Sequence, residues 1–131
     1  FYNEPLYIEA VTEKIISKLK ENKISLLLFS AHSLPLRFVK QEDPYLYEIK
    51  ETVNMIIERL KKKNIVIPPY KIAYQSKSLP IKWLEPSVSK VIKEAKMEGV
   101  KKLLIVPISF VSDNIEILYE IDILYRQNAE A

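Results

Sequence analysis

The chain has 131 residues, of which 48% are hydrophobic and 28% are charged, and its formal net charge is +3. These values are typical of one globular domain that is long enough to bury a sizeable core. The absence of cysteine excludes disulfides, thiolate zinc sites and cysteine-held iron–sulfur clusters. No apolar run approaches the roughly 20 residues that span a bilayer. The one run of like charge, Lys61 to Lys63, falls at a predicted helix end and lacks the wider basic face of a nucleic-acid surface.

The first half of the chain predicts a helix, a buried strand and a second helix. Asn3-Glu4-Pro5 is typical of a helix start, and apolar residues then recur at helical spacing from Ile8 to Leu19. The run from Ile24 to Phe29, which is apolar except at Ser25, has the length of a strand. Asp43-Pro44 opens the second helix, whose apolar stripe runs from Ile49 to Leu60.

The second half predicts two more strands and two more helices. Tyr70 to Tyr74 reads as a short strand, and a helix opened by Pro86 is closed by Gly99. Leu103 to Ile108 is another continuous apolar run of strand length. A last helix is predicted from Ile115 to about Asn128.

The predicted order is therefore α-β-α-β-α-β-α. Strands that are apolar throughout are buried on both faces, as in parallel sheets covered by helices. We predict an α/β fold with a doubly wound open parallel sheet and helices on both faces. Three strands make a thin sheet, and the chain begins without methionine and without the basic start of a signal peptide. We expect the chain to be part of a longer protein.

The carboxyl ends of the predicted strands carry polar residues. His32, the only histidine, follows the first strand, Gln75-Ser76-Lys77 follows the second, and Val111-Ser112-Asp113 comes after the third. Ligands of such sheets bind beyond these ends. His32 is therefore a candidate catalytic base or metal ligand, and the alternative is a loop histidine that hydrogen-bonds the backbone. A single glycine argues against a phosphate-binding loop and hence against a nucleotide.

Two further features are ambiguous on pattern alone. Glu116 and Glu120 are four residues apart, so the predicted last helix places them on one ridge, with Asp113 one turn earlier. Such a ridge is either solvated or a cleft wall whose stacked carboxylates pass protons, and Asp113 is also a candidate helix N-cap. Trp83, the only tryptophan, is either a packing plug or an aromatic wall for a flat apolar ligand.

Four blocks of residues, in this order, together resemble the ferrochelatases, the enzymes that insert ferrous iron into a porphyrin in haem biosynthesis. The resemblance covers essentially the whole chain. The blocks are Ser30-Ala31-His32-Ser33-Leu34-Pro35; Asp43-Pro44-Tyr45; Tyr74-Gln75-Ser76-Lys77 with Pro80 and Trp83-Leu84; and Val106-Pro107-Ile108 with Ser112-Asp113, Ile115-Glu116, Leu118-Tyr119-Glu120 and Asp122.

The resemblance implies that residues 1–131 are the C-terminal of two similar α/β halves, which hold the porphyrin between them. The N-terminal half would then be absent from this chain. By position, His32 matches the essential histidine of the family, and Glu116 matches the glutamate that handles metal or protons. Both are candidate ligands of the iron. Glu120 matches the next acid, and Trp83 matches a tryptophan near the porphyrin.

The porphyrin-binding residues implied by the resemblance are Trp83, Ser76 and Asn114. Family members often carry histidine at Asn114 and glycine at Leu79, so the chain departs from the family at both positions. Ferrous iron is expected as substrate, with no prosthetic group and no iron–sulfur cluster. Whether His32 accepts protons or presents iron is open at this point.

The expected partners are a porphyrin, ferrous iron and the N-terminal half, with no nucleic acid. Protoporphyrin IX and coproporphyrin III remain alternatives as the porphyrin. We expect a cytoplasmic protein that contacts a membrane at most peripherally. Two other functions stay open, a chelatase for a different tetrapyrrole and a non-catalytic tetrapyrrole- or protein-binding module, and the latter is favoured chiefly by Asn114.

Overall fold

The computed structural model describes residues 5–32, 44–75, 86–108 and 119–122. At His32, Pro44 and residues 119–122 it describes the backbone alone. All structural statements below concern these ranges.

The described residues form three helices and four strands. In chain order they are α1 (Pro5–Glu21), β1 (Leu26–His32), α2 (Pro44–Lys62), β2 (Tyr70–Gln75), α3 (Val88–Met97), β3 (Lys102–Pro107) and β4 (Tyr119–Asp122). The elements from α1 to β3 confirm the predicted order. The predicted end of the third helix is also confirmed, because Gly99 follows α3 at a φ of 81°. At its start Ser87, directly after Pro86, caps α3 by accepting a hydrogen bond from the Lys90 N–H.

The sheet has the strand order β2-β1-β3-β4. β1 pairs in parallel with β2 on one side and with β3 on the other, which confirms the open parallel sheet. The chain leaves β1 for β2 and then crosses back over β1 to reach β3. β4 adds an antiparallel strand along the other side of β3.

The predicted last helix is wrong at Tyr119–Asp122, which form β4. Tyr-Glu-Ile-Asp alternates aromatic or apolar residues with acids, a period of two that suits a strand as well as it suits one helical turn. The strand forms because the side of β3 away from β1 is free to pair, and there Leu103 pairs with Ile121 and Leu104 pairs with Glu120. The other residues of the predicted helix lie outside the described ranges.

Helices cover both faces of the sheet. α1 and α2 pack on the face that carries Leu27 and Phe29 of β1, whereas α3 packs on the face that carries Leu26 and Leu28. Successive residues of a strand point to opposite faces, so all of β1 up to Phe29 must be apolar. This two-sided burial is the reason that the strand reads as an unbroken apolar run.

An ion-pair network joins α1 to α2 at the surface. The Lys63 ammonium lies 2.9 Å from a carboxylate oxygen of Glu9 and 2.9 Å from one of Glu13. Arg59 also donates to Glu9. The hydrogen bond from Lys63 is the largest influence that holds the pKa of Glu9 below its ordinary value of 4.5, and bonds to Glu13 and Glu9 raise the pKa of Lys63 above 10.5.

Replacing Lys63 with glutamine should lower the thermal unfolding midpoint near neutral pH. Because the pKa of Glu9 is lowered on folding, its stabilisation is present above pH 4.5 and is lost as the pH falls through the folded-state pKa. Because the pKa of Lys63 is raised on folding, the stabilisation that its charge provides is lost only as the pH rises through that raised pKa. The difference between Lys63→Gln and wild type should therefore disappear at about pH 2. Lys50→Gln, at an exposed position of α2, is the control, and a pH-independent difference would contradict the account.

Candidate functional site

The carboxyl ends of the three parallel strands meet at one edge of the sheet, here called the carboxyl edge. His32 is the last residue of β1 and lies in register with Gln75, the last residue of β2. Two residues earlier, Ser30 lies in register with Pro107, the last residue of β3. The structure thus places His32 at the end of the strand that lies between the other two parallel strands, as the sequence predicts.

The segment 76–85, which carries Ser76 and Trp83, leaves and rejoins the sheet at the same place. It begins after Gln75, and the Tyr74 N–H donates to the Pro86 carbonyl at 2.9 Å. Tyr74 and Ser87 also form a parallel bridge. Both ends of this segment are therefore fixed at the carboxyl edge, although Ser76 and Trp83 themselves lie outside the described residues.

The segment 109–118, which carries Asn114 and Glu116, begins beside β1. The Ile108 N–H donates to the Ser30 carbonyl at 2.8 Å, so this segment starts next to the strand that ends at His32. Asn114 and Glu116 lie outside the described residues, and their predicted roles stay predictions.

Glu120 has a different position from the one expected. Its backbone lies on β4 in register with Leu104, which in turn is in register with Leu27 of β1. Leu27 precedes His32 by five residues, or about 16 Å along a strand. The structure therefore does not bring the backbones of Glu120 and His32 together. The predicted helix that would place Glu116 and Glu120 on one ridge is wrong at Glu120, because this residue lies on β4.

Two tyrosines near the carboxyl edge were not singled out as site residues from the sequence. Tyr45 and Tyr74 pack with Ala31 and Ile49 beneath the end of β1. Burial, with a smaller effect of Tyr74, raises the pKa of Tyr45 to about 12, and burial also raises the pKa of Tyr74. Both phenols are therefore uncharged at neutral pH and can donate hydrogen bonds. Their occurrence in two of the resembling blocks was the available signal.

The hydroxyl of Ser30 is a second feature that the sequence did not reveal. The residue is 2% exposed, and its Oγ has no hydrogen-bond partner. Among the described side chains it is the one buried nitrogen or oxygen atom in this condition. An unsatisfied buried hydroxyl costs about 1–3 kcal/mol. It lies two residues before His32.

Other parts of the described surface are poorer candidates. A groove of about 420 Å³ between α1 and α2 has Pro5, Ile8 and Met55 among its lining residues, together with both acidic and basic side chains. It does not reach the strand ends. The described side chains include no cluster of three or more histidine or carboxylate groups suited to a metal, but those of His32 and Glu116 are outside that set.

The chain matches one protein family along its whole length. The family model described as Ferrochelatase matches residues 1–131. Curated relatives named ferrochelatase include that of Geotalea daltonii, 47% identical over 133 residues, that of Geotalea uraniireducens, 49% identical over 133 residues, and that of Aquifex aeolicus, 45% identical over 130 residues. Each alignment covers 99% of this chain and 40% of the relative.

The chain thus spans about 40% of the length of these relatives. The match of the family model nevertheless runs along all 131 residues, through every described element of the sheet. This chain belongs to the ferrochelatase family.

Proposed function

We propose that the chain is the C-terminal half of an enzyme that inserts ferrous iron into a porphyrin. The observation that carries the proposal is the family match over residues 1–131. The placement of His32 at the end of β1 supports it, because β1 is hydrogen-bonded on both sides and so offers a fixed attachment for a reacting group.

The reaction requires two things of the protein at the ring. A porphyrin loses two pyrrole N–H protons as Fe²⁺ arrives, so a proton acceptor and a weak, temporary metal ligand are needed. Neutral imidazole suits either task, and His32 is the one imidazole in the chain. Glu116 would share the handling of protons and iron, and the iron is substrate rather than a resident cofactor.

The porphyrin would lie at the carboxyl edge. Trp83 and Ser76 belong to the segment whose ends are tied together at Tyr74 and Pro86, so this segment is suited to form one wall of a ring pocket. Asn114 belongs to the segment that starts beside β1. A pocket that buries a flat ring needs a second wall, which we assign to an N-terminal half of the same enzyme. The porphyrin is protoporphyrin IX or coproporphyrin III.

A non-catalytic module and a chelatase for another tetrapyrrole are less well supported. Asn114 is the main argument for a non-catalytic module, since it replaces a titratable histidine. Asparagine still donates and accepts hydrogen bonds, so it can orient a neighbouring group without being the base. The relatives at 45–49% identity are named ferrochelatases, which favours the iron enzyme.

We also propose a cytoplasmic protein with a peripheral membrane contact at the amino edge of the sheet, where the helices end and the parallel strands begin. None of the described helices is long and apolar enough to cross a membrane. Exposed lysines concentrate at this edge, and the apolar side chains of Val66 and Met97 are 92% and 82% exposed there. The lysines are Lys20, Lys23, Lys61, Lys62 and Lys101.

In the full-length enzyme, His32→Ala should abolish most iron insertion while leaving the fold intact. The expected loss is at least about a hundredfold, the lower end of what one general acid–base group contributes. The measurement is the change in porphyrin absorbance with Fe²⁺ under anaerobic conditions, with circular dichroism as the folding control. Turnover close to wild type would exclude His32 from the reaction.

Glu116→Gln should reduce turnover far more than Glu120→Gln, with unchanged porphyrin affinity in both. Glutamine keeps the shape of the side chain and removes its charge. Glu116 lies in the segment that starts beside β1, whereas Glu120 pairs with Leu104 well before the end of β3. Equal losses of kcat in the two variants would instead indicate a shared relay.

The membrane contact predicts binding of the full-length protein to vesicles that contain anionic phosphatidylserine. Each lysine near such a surface contributes about 1 kcal/mol, so Lys23→Glu with Lys101→Glu should weaken binding at least about tenfold. Lys50→Glu, on an exposed part of α2 away from this edge, is the matched control. Binding that is absent, or that the double substitution leaves unchanged, would contradict the proposal.

A further inference from the structure

The hydroxyl of Ser30 differs from the other buried polar side chains of the described structure. These are Thr12 and Thr52, and each donates to the carbonyl four residues earlier in its helix, at 2.7 and 2.8 Å. Ser30 has no such acceptor. Its backbone carbonyl receives the Ile108 N–H, but its Oγ is buried and without a partner.

The residues directly beside Ser30 on the neighbouring strands do not supply that partner. The residues in register with Ser30 are Ala73 on β2 and Pro107 on β3, and neither has a polar side chain. On the same face of β1, the preceding residue is Leu28. An alanine, as at Ala31, would fill the position without burying a hydroxyl. The nearest polar residues further along this face are two positions on, where His32 ends β1 and Gln75 ends β2 in register with it.

Of these two residues, His32 is on the same strand as Ser30. Alternate residues of a strand share a face, so positions 30 and 32 of β1 lie on the same side of the sheet, about 6.6 Å apart along the strand. This spacing suits two short side chains that are bridged by one water molecule. The next position on that face is His32, the last residue of the strand.

We propose that Ser30 is a positioning residue for His32, and that its hydroxyl holds the imidazole in one orientation through a bridging water. The inference rests on the proposed function, since it concerns the group that works on iron or protons. Groups that hydrogen-bond the far nitrogen of a working imidazole fix its tautomer and ring orientation, and their removal commonly costs 10- to 100-fold. The same cost is expected whether His32 takes protons or presents iron.

The test compares Ser30→Ala with Ser30→Thr in the full-length enzyme. Ser30→Ala should lower kcat about tenfold without lowering the unfolding midpoint, and the KM for porphyrin should not change. Ser30→Thr keeps a hydroxyl and should restore most of kcat. Ser25→Ala is the control, because Ser25 donates to the Lys102 carbonyl at the opposite edge of the sheet. Wild-type kcat in Ser30→Ala, or a loss that threonine does not restore, would overturn the inference.

A second measurement does not depend on chelatase activity. In protein labelled with nitrogen-15 histidine, the signals of His32 are those lost in His32→Gln. Ser30→Ala should shift these signals toward a mixture of the two ring tautomers, whereas Ser25→Ala should not. Unchanged signals in Ser30→Ala would refute the link between the two residues. If the wild-type enzyme metallates no porphyrin but the shift occurs, the proposed function fails and the link stands.

Discussion

β1 is held on four sides, and the candidate site depends on that confinement. Its edges are hydrogen-bonded to β2 and β3, and its faces are covered by α1 and α2 on one side and by α3 on the other. Leu27, Leu28 and Phe29 are each 0% exposed. Movement of the strand would break two ladders or open the core, so the part of β1 that leads to His32 is held in place, and His32 itself pairs with Gln75. Such preorganisation is what a reacting group requires.

Parallel pairing brings the other candidate segments to the same edge. Because β1, β2 and β3 run in one direction, the segments that follow them all start where His32 lies. One backbone hydrogen bond, from Tyr74 to Pro86, returns the end of segment 76–85 to this edge, and another, from Ile108 to Ser30, sets the start of segment 109–118.

The sequence predicted those elements whose local pattern has one physical explanation. Residues 26–29 of β1 and residues 103–107 of β3 are apolar runs because both faces of these strands are buried, and the carboxyl end of β1 identified His32. Tyr119–Asp122 alternate in a pattern that also fits a helical turn, and pairing with β3 is a tertiary effect that no local pattern encodes. The orphan hydroxyl of Ser30 likewise depends on the neighbours Ala73 and Pro107, which only the strand order reveals. The roles of Ser76, Trp83, Asn114 and Glu116 remain predictions, because these residues lie outside the described ranges.

The most direct test of the account is a crystal structure of the full-length protein with a metal-free porphyrin bound. The account predicts that the ring lies at the carboxyl edge, with the imidazole of His32 within reach of the pyrrole nitrogens and with the segments 76–85 and 109–118 beside it. The far side of the ring would be covered by the N-terminal half. A porphyrin bound in the groove between α1 and α2, or anywhere that leaves His32 out of reach of the ring, would contradict the account.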